Sequence, residues 1–125
     1  MSTRERVSSL ITFVERGDVL GAIVEFYDEN VSMQDNANTP TLGREANLER
    51  ERAFFAGITV HQHRALATVV DGDLAVVSWL LEFTGADGRH YRLDQVAHQE
   101  WKGGKIIRER FYYDSAAVLV QSVAA

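Results

Sequence analysis

The chain has 125 residues, 46% of them hydrophobic, which is typical of a single globular domain and not of a disordered chain. Thirteen basic against eighteen acidic residues give a net charge of −5, so we expect no nucleic-acid partner. The absence of cysteine excludes disulfides and thiolate nucleophiles. No stretch resembles a signal peptide or approaches the roughly 20 apolar residues of a membrane span. We therefore expect a cytoplasmic protein with no membrane partner.

Two short helices are predicted at the start of the chain. Ser2 and Glu5 have the spacing of a capping box, in which each residue satisfies a free backbone N–H of the other. Apolar residues then recur with a helical period on both sides of Gly17, which can end the first helix. We expect antiparallel helices near residues 3–16 and 18–28.

The next segment, residues 28–43, is rich in Asn, Asp and Thr and contains the only proline, Pro40. This composition predicts an irregular connection, of the kind that often carries functional residues. A third helix is expected near residues 43–56, with a weaker periodicity and a mostly charged, solvated face. The side chains expected to be buried in it are Ala46, Leu48, Phe54 and Phe55.

From Ile58 onward the sequence is typical of β-strands. Four β-rich runs are separated by turn-forming pairs, which favour hairpins because such turns need positive φ angles. The pairs are Asp71-Gly72, Asp87-Gly88 and Gly103-Gly104. The predicted fold class is therefore α+β: one domain over residues 1–125, with three N-terminal helices packed on a curved antiparallel sheet. Residues 115–125 fit either a short helix or a strand.

Strand alternation predicts which side chains face the space between helices and sheet. The expected inward set is Trp79, Phe83, Glu109, Phe111 and Tyr113, with Arg108 and Arg110 on the opposite face. Burying the Glu109 carboxylate costs several kcal/mol unless it is paired or its pKa rises. Two interpretations remain open: Glu109 is buried among aromatic rings, or it is partly solvated at the mouth of the sheet.

The outward set mixes both charge signs with an aromatic ring. Its members are Arg92, Asp94, Arg108, Arg110 and Tyr112. A patch of this kind is self-complementary across a twofold axis, which suits an isologous homodimer.

His61 and His63 lie two residues apart, which predicts that they share one face of a strand and suggests a metal-binding pair. Further metal ligands on the neighbouring strands are lacking. The nearest candidate, His98, alternates with Gln95 and Gln99 along its strand and therefore falls on the opposite face. We therefore expect no metal. No glycine-rich loop precedes a helix with phosphate-binding spacing, so no nucleotide cofactor is expected either.

Three segments carry a family resemblance: FYDENVSMQD (residues 26–35), WLLEFTGADGR (79–89) and EWKGGKIIRERFYYD (100–114). With them the chain resembles the SnoaL-like branch of the superfamily that contains nuclear transport factor two, ketosteroid isomerase, scytalone dehydratase and limonene-epoxide hydrolase. The resemblance implies a cone, in which helices close one end of a strongly curved sheet around an internal pocket. It also implies a homodimer formed through the outer sheet face.

Residue by residue, the resemblance gives a mixed result. Asp35 occupies a position similar to the proton-shuttling base of ketosteroid isomerases. The oxyanion-hole positions of those enzymes correspond here to Ala97 and to a first helix that offers Phe13 but no tyrosine. Phe111 stands where SnoaL-type cyclases and epoxide hydrolases carry an essential Asp.

Two functional classes follow from these residues. One is an acid–base isomerase, dehydratase or cyclase acting on a small hydrophobic carbonyl compound, without a cofactor. The other is a non-catalytic module that binds a small molecule or another protein, in which Asp35 caps a turn and Glu109 bonds Gln95 or Gln99. The predicted catalytic residues are Asp35, Glu109 and Tyr113, and the predicted ligand-binding residues are His63, Trp79, Phe83, Gln95, Gln99 and Phe111.

Overall fold

The computed structural model describes residues 2–116 of the chain, so part of the predicted C-terminal element lies outside the described residues. This part contains three helices and six strands: α1 (Thr3–Glu15), α2 (Val19–Phe26), β1 (Tyr27–Asp35), β2 (Thr41–Leu42), α3 (Arg44–Ala56), β3 (Thr59–Asp71), β4 (Leu74–Thr84), β5 (His90–Lys102) and β6 (Lys105–Tyr112). No helix among these residues is both long and apolar enough to cross a membrane.

The first two helices begin and end where local chemistry predicts. The Ser2 side chain accepts a hydrogen bond from the Glu5 N–H, and the Glu5 carboxylate accepts one from the Ser2 N–H. Gly17 ends α1 with a φ of 87°, and Asp18 caps α2 by accepting from the Gly21 N–H at 2.8 Å. Both predicted helices are confirmed, although α2 ends at Phe26 and the chain passes directly into a strand.

The prediction of an irregular connection over residues 28–43 is wrong for most of its length. Residues 27–35 form β1, in which Val31 and Met33 are buried and most of the polar residues alternate to the other side. This strand is stabilised by parallel pairing with β6 and by antiparallel pairing with the short strand β2. The polar composition predicted a loop, because most of the backbone pairing that stabilises this strand comes from β6, which is far away in the sequence.

The six strands form one curled, unclosed sheet in the order β2-β1-β6-β5-β4-β3. The predicted meander of four antiparallel strands is confirmed, and its tight turns use glycines with positive φ, such as 60° and 79° at Gly103 and Gly104. The helices pack on the concave face and bury an apolar core there. The predicted α+β fold is therefore correct.

Bulges in β3 and β6 change the expected alternation. The β3 register shifts between Val60 and Gln62, so His61 and His63 do not share a face, contrary to the prediction. His61 is exposed and lies 2.6 Å from the Thr84 hydroxyl, while His63 faces inward. A second register shift between β5 and β6 buries Ile106 completely, and the inward set resumes beyond it with Glu109.

Helix α3 differs from the prediction in its buried residues. Leu48 is buried as expected, but Ala46 and Phe54 are exposed, and Asn47 is completely buried. The Asn47 amide donates to the carbonyls of Thr41 and Gly43 at 3.0 and 2.8 Å. A polar side chain therefore anchors the start of α3 to β2.

Candidate functional site

A cavity of about 320 Å³ lies between the helices and the concave face of the sheet. Seven of the residues predicted from the sequence line it: Asp35, His63, Trp79, Gln95, Glu109, Phe111 and Tyr113. Phe83 lies instead in a more open groove that adjoins the cavity at Phe54, Leu93 and Tyr113. Gln99 is completely buried and reaches the site only through Glu109.

Four hydrogen-bonded side chains, Tyr27, Glu109, Gln99 and Trp101, form what we call the basal network. The Tyr27 hydroxyl donates to Glu109 Oε1, and Gln99 Nε2 donates to Glu109 Oε2 at 2.7 Å. The Trp101 indole N–H in turn donates to Gln99 Oε1 at 3.0 Å. Because Glu109 is only 1% exposed, these partners supply the hydrogen bonds that water would otherwise provide.

Burial controls the protonation of the basal network. It raises the pKa of Glu109 to about 7, although the hydrogen bonds from Tyr27 and Gln99 favour the ionised form and lower this pKa. Burial, together with the neighbouring Glu109 charge, also raises the pKa of Tyr27 well above its ordinary value. Near neutral pH, Glu109 therefore populates both protonation states while Tyr27 stays protonated.

A second polar group, the rim cluster of Asp35, Arg50 and Glu51, lies at the mouth of the cavity. Asp35 is the last residue of β1 rather than part of a loop, and it points inward because it lies two residues beyond the buried Met33. Arg50 Nη1 lies 3.3 Å from Asp35 Oδ2, and Arg50 Nη2 lies 3.5 Å from Glu51 Oε1. Burial raises the pKa of Glu51, which the Arg50 charge partly offsets.

Tyr113 follows the end of β6 and lines the cavity near the rim. Its backbone N–H donates to Asn36 Oδ1 at 3.0 Å, which fixes the chain just beyond the strand. Burial and then the negative charge of Asp35 raise the pKa of the Tyr113 phenol. This phenol is therefore a hydrogen-bonding group and not a phenolate at neutral pH.

His63 belongs to an aromatic wall of the cavity. Its ring stacks on Phe55, with centroids 6.2 Å apart, and lies 5.4 Å from the Trp79 ring. Burial lowers the pKa of His63 to about 4, so the imidazole is neutral at pH 7. Within residues 2–116, no three His, Asp or Glu side chains gather closely enough to hold a metal ion.

Sequence reasoning missed three polar residues of this site. Tyr27 fitted the apolar stripe of α2, and Arg50 and Glu51 fitted the solvated face of α3. The available signal was weak: the charges of α3 alternate in sign along REANLERER, which also describes an exposed helix. The packing of α3 against α2 and β1 brings these charges to the cavity.

A family model described as the SnoaL-like domain matches residues 7–109. A proposed SnoaL-like polyketide cyclase from Mesorhizobium loti superposes with a TM-score of 0.83 and 23% identity, over 90% of this chain and all of that one. A proposed polyketide cyclase from Pseudomonas putida KT2440 gives a TM-score of 0.76 and 19% identity, over 94% and 95% of the two chains.

A more distant structural relative is an LEH-like epoxide hydrolase from M. tuberculosis. It gives a TM-score of 0.76 and 10% identity, over 93% of this chain and 85% of that one. Among curated proteins no match was found. At these identities the structural likenesses establish a shared fold, and the chemistry has to be argued from the cavity itself.

Proposed function

The chain belongs to the SnoaL-like domain family, and from that premise we propose that it is an acid–base enzyme acting on a small hydrophobic carbonyl compound. The observation that carries this proposal is Glu109, a buried carboxyl at the base of an open cavity. Burial raises the pKa of this carboxyl to about 7. General acid–base catalysis needs such a group, because it exchanges protons most effectively when its pKa is near the working pH.

The base in this proposal is Asp35. It lines the cavity, its side chain is 30% exposed, and the Arg50 guanidinium holds it in place. In the reaction we propose, Asp35 removes a proton from the carbon next to the substrate carbonyl. The C–H bonding pair forms a C=C bond, and the C=O π pair moves to the oxygen, which gives an enolate. Tyr113 lines the same cavity and its pKa is raised in part by the Asp35 charge, so its phenol is available to bind a polar group of the substrate.

The basal network supplies the hydrogen-bond donor for the substrate oxygen. When Glu109 is protonated, the Tyr27 hydroxyl oxygen can accept from it across the bond that joins the two side chains, and the Tyr27 hydrogen can then be donated to the developing enolate oxygen. Such a donor acts strongly because Tyr27 and Glu109 are shielded from bulk water.

The proton taken by Asp35 then completes the reaction. Its return to the far carbon of a conjugated dienolate gives isomerisation, and its transfer to a departing β-hydroxyl releases water and gives dehydration. Where the enolate carbon attacks a second carbonyl, its transfer to the resulting alkoxide completes cyclisation.

The cavity wall favours a small apolar substrate. Trp79, Phe111, Phe55 and the neutral His63 provide aromatic surface, and about 320 Å³ is near the lower end of the volumes that hold small ligands. Gln95, which also lines the cavity, adds one amide for hydrogen bonding. A neutral carbonyl compound with a hydrophobic ring or chain matches this surface.

The test is deuterium exchange at the α-carbon of a panel of hydrophobic ketones and aldehydes, followed by proton NMR in deuterated water. Exchange reports enolate formation whichever product follows. Asp35→Asn is expected to lower the exchange rate by about 10²- to 10⁴-fold. Asp71→Asn makes the same change at an exposed strand end outside the cavity lining and is expected to have no effect. Saturable binding without exchange would contradict the enzyme and favour the binding module.

We also propose that the chain forms a twofold homodimer through the outer face of the sheet. Arg92 lies 3.5 Å from Asp94, and the exposed Tyr112 stacks under the Arg110 guanidinium at 4.6 Å. Val96 pairs beside Tyr112 and is 38% exposed, which adds apolar area. Sedimentation equilibrium is expected to give a dimer mass, and Val96→Arg a monomer; a monomer mass for the unaltered chain would contradict the proposal.

A further inference from the structure

The hydrogen bonds of the basal network have a fixed direction. An indole N–H can only donate, so the Gln99 amide must turn its oxygen toward Trp101 and its nitrogen toward Glu109. Gln99, Trp101 and Glu109 are 0%, 3% and 1% exposed, so bulk water does not offer them alternative partners. Glu109 Oε2 is therefore an acceptor in both protonation states.

This direction restricts where a proton on Glu109 can lie. With Oε2 accepting from Gln99, the proton of a neutral Glu109 must lie on Oε1, which faces the Tyr27 hydroxyl oxygen. The Tyr27 oxygen then accepts from Glu109, and its own hydrogen has to point elsewhere. Since Tyr27 lines the cavity, that hydrogen turns toward a bound ligand. When Glu109 is ionised, Tyr27 instead donates to Glu109 and offers the cavity no hydrogen.

We propose that Gln99 and Trp101 are positioning residues that make Tyr27 a hydrogen-bond donor to the ligand only while Glu109 is protonated. The inference rests on the proposed function, in which Tyr27 donates to the substrate oxygen. It adds a switch: the site is competent to bind an enolate oxygen in one protonation state and incompetent in the other.

The other groups that face Glu109 do not replace this arrangement. Arg50 and Glu51 reach it from α3 with opposing charges, of which Glu51 raises and Arg50 lowers the Glu109 pKa. The register partner on β1 is Met33, which is apolar and buried. Direct hydrogen bonds to the Glu109 carboxyl come from Tyr27 and Gln99 within residues 2–116.

The first test measures the Glu109 pKa by ¹³C NMR of the glutamate carboxyl carbons, with the resonance assigned through Glu109→Gln. Gln99→Met removes a donor to the ionised form, so the pKa is expected to rise by about one unit or more. A fall would mean that Gln99 presents its oxygen to Glu109, and no change would mean that it makes no effective bond; either result overturns the proposal. Gln62→Met, which alters an amide at a β3 position outside the cavity lining, is the control.

Trp101→Phe provides a second variant that keeps an aromatic ring in place. Without the indole N–H, Gln99 is free to rotate and offer its oxygen to Glu109, which favours the protonated form. The Glu109 pKa is therefore expected to rise in this variant too. An unchanged pKa in a folded Trp101→Phe variant would show that Trp101 does not set the direction of the network.

The second test examines Tyr27 itself by infrared difference spectroscopy with ring-labelled tyrosine, assigned through Tyr27→Phe. The phenolic C–O stretch distinguishes a hydroxyl that donates to a carboxylate from one that accepts from a carboxyl. The band is expected to change between about two pH units below and two above the Glu109 pKa; a band that stays constant overturns the switch. Neither test requires turnover, so both can be decided even if the protein does not show the proposed enzyme activity.

Discussion

The two ends of the cavity each hold a carboxyl group, and their surroundings are opposite. At the rim, Asp35 is 30% exposed and its partner is a guanidinium. At the base, Glu109 is 1% exposed and its partners are the neutral Tyr27 and Gln99. The rim carboxyl thus keeps contact with water and with a positive charge, whereas burial raises the pKa of Glu109 at the base to about 7.

The difference teaches that solvent access outweighs hydrogen bonding in this cavity. Glu109 receives two hydrogen bonds that favour its ionised form, yet its pKa rises. Glu51 supports the same conclusion from the rim, because burial raises its pKa even though it lies 3.5 Å from Arg50. In this cavity, burial is therefore the main cause of the raised pKa of both Glu109 and Glu51.

The largest expected effect comes from removing the hydroxyl at the base. Tyr27→Phe should lower kcat for carbonyl enolisation by about 10²- to 10³-fold, the range for losing one donor to an oxyanion, with a much smaller change in KM. The reason is that the hydrogen bond strengthens as negative charge develops on the substrate oxygen. Tyr112→Phe makes the same change on the outer face. Equal losses in both variants would contradict a special role for Tyr27.

The next effect concerns stability and distinguishes the base from the rim by pH. Between pH 4.5 and about 7 the folded chain keeps a proton on Glu109 that the unfolded chain has lost. The free energy of unfolding therefore falls as pH rises through this window, by roughly 3 kcal/mol if the whole shift is realised. Glu109→Gln, a neutral mimic of the protonated state, should lose this decline.

Urea unfolding of both chains across that window measures the difference. The wild-type chain should lose stability relative to Glu109→Gln as the pH rises, and the two should run parallel above about pH 7. Parallel curves throughout the window would show that Glu109 is not held in its neutral form by burial.

Local signals explain which parts of the fold the sequence predicts. Ser2 and Glu5 cap α1 through neighbours three residues away, and the glycines of the hairpins act within their own turns. Strand β1 depends on parallel pairing of Ser32 with Arg108 and its neighbours on β6. No local pattern encodes that distant pairing, which is why a strand was mistaken for a loop. The bulge that separates His61 from His63 is equally invisible, because it is a property of the pairing and not of the composition.

The residues of the site also divide into those that a local sequence pattern predicts and those that only the tertiary packing places. Alternation along one strand was sufficient to place Glu109 and Phe111 in the cavity, since both lie beyond the β6 bulge and keep their parity. Tyr27, Arg50 and Glu51 were missed because each reaches the cavity through the packing of a helix or a helix end. The partner of Glu109 across the sheet is Gln99, one of the two amides that the sequence left open.

His63 allows the comparison to be extended to the aromatic wall. Burial lowers its pKa from 6.5 to about 4, so the unfolded chain binds a proton there that the folded chain does not. The free energy of unfolding therefore falls as pH decreases from 6.5 to about 4, the opposite direction to Glu109. His63→Phe should remove this loss, as urea unfolding at several pH values would show. The exposed His61→Phe variant is the control, and an equal effect in both would contradict the interpretation.

The smallest effect is expected at the rim. Arg50→Met removes the ion pair to Asp35, but both side chains are about one-third exposed, and such pairs contribute about 1 kcal/mol or less. Arg50 Nε is also buried without a hydrogen-bond partner among the described residues, which offsets part of that contribution. The free energy of unfolding should therefore change by less than about 1 kcal/mol, while the Glu51 pKa, which Arg50 lowers, should rise further.

Arg52→Met, two residues along the same helix and paired with Glu49 on the exposed side, should leave the Glu51 pKa unchanged. A large loss of stability from Arg50→Met, comparable to that expected at the base, would show that the rim cluster is a structural element rather than a solvated group held ready for a ligand.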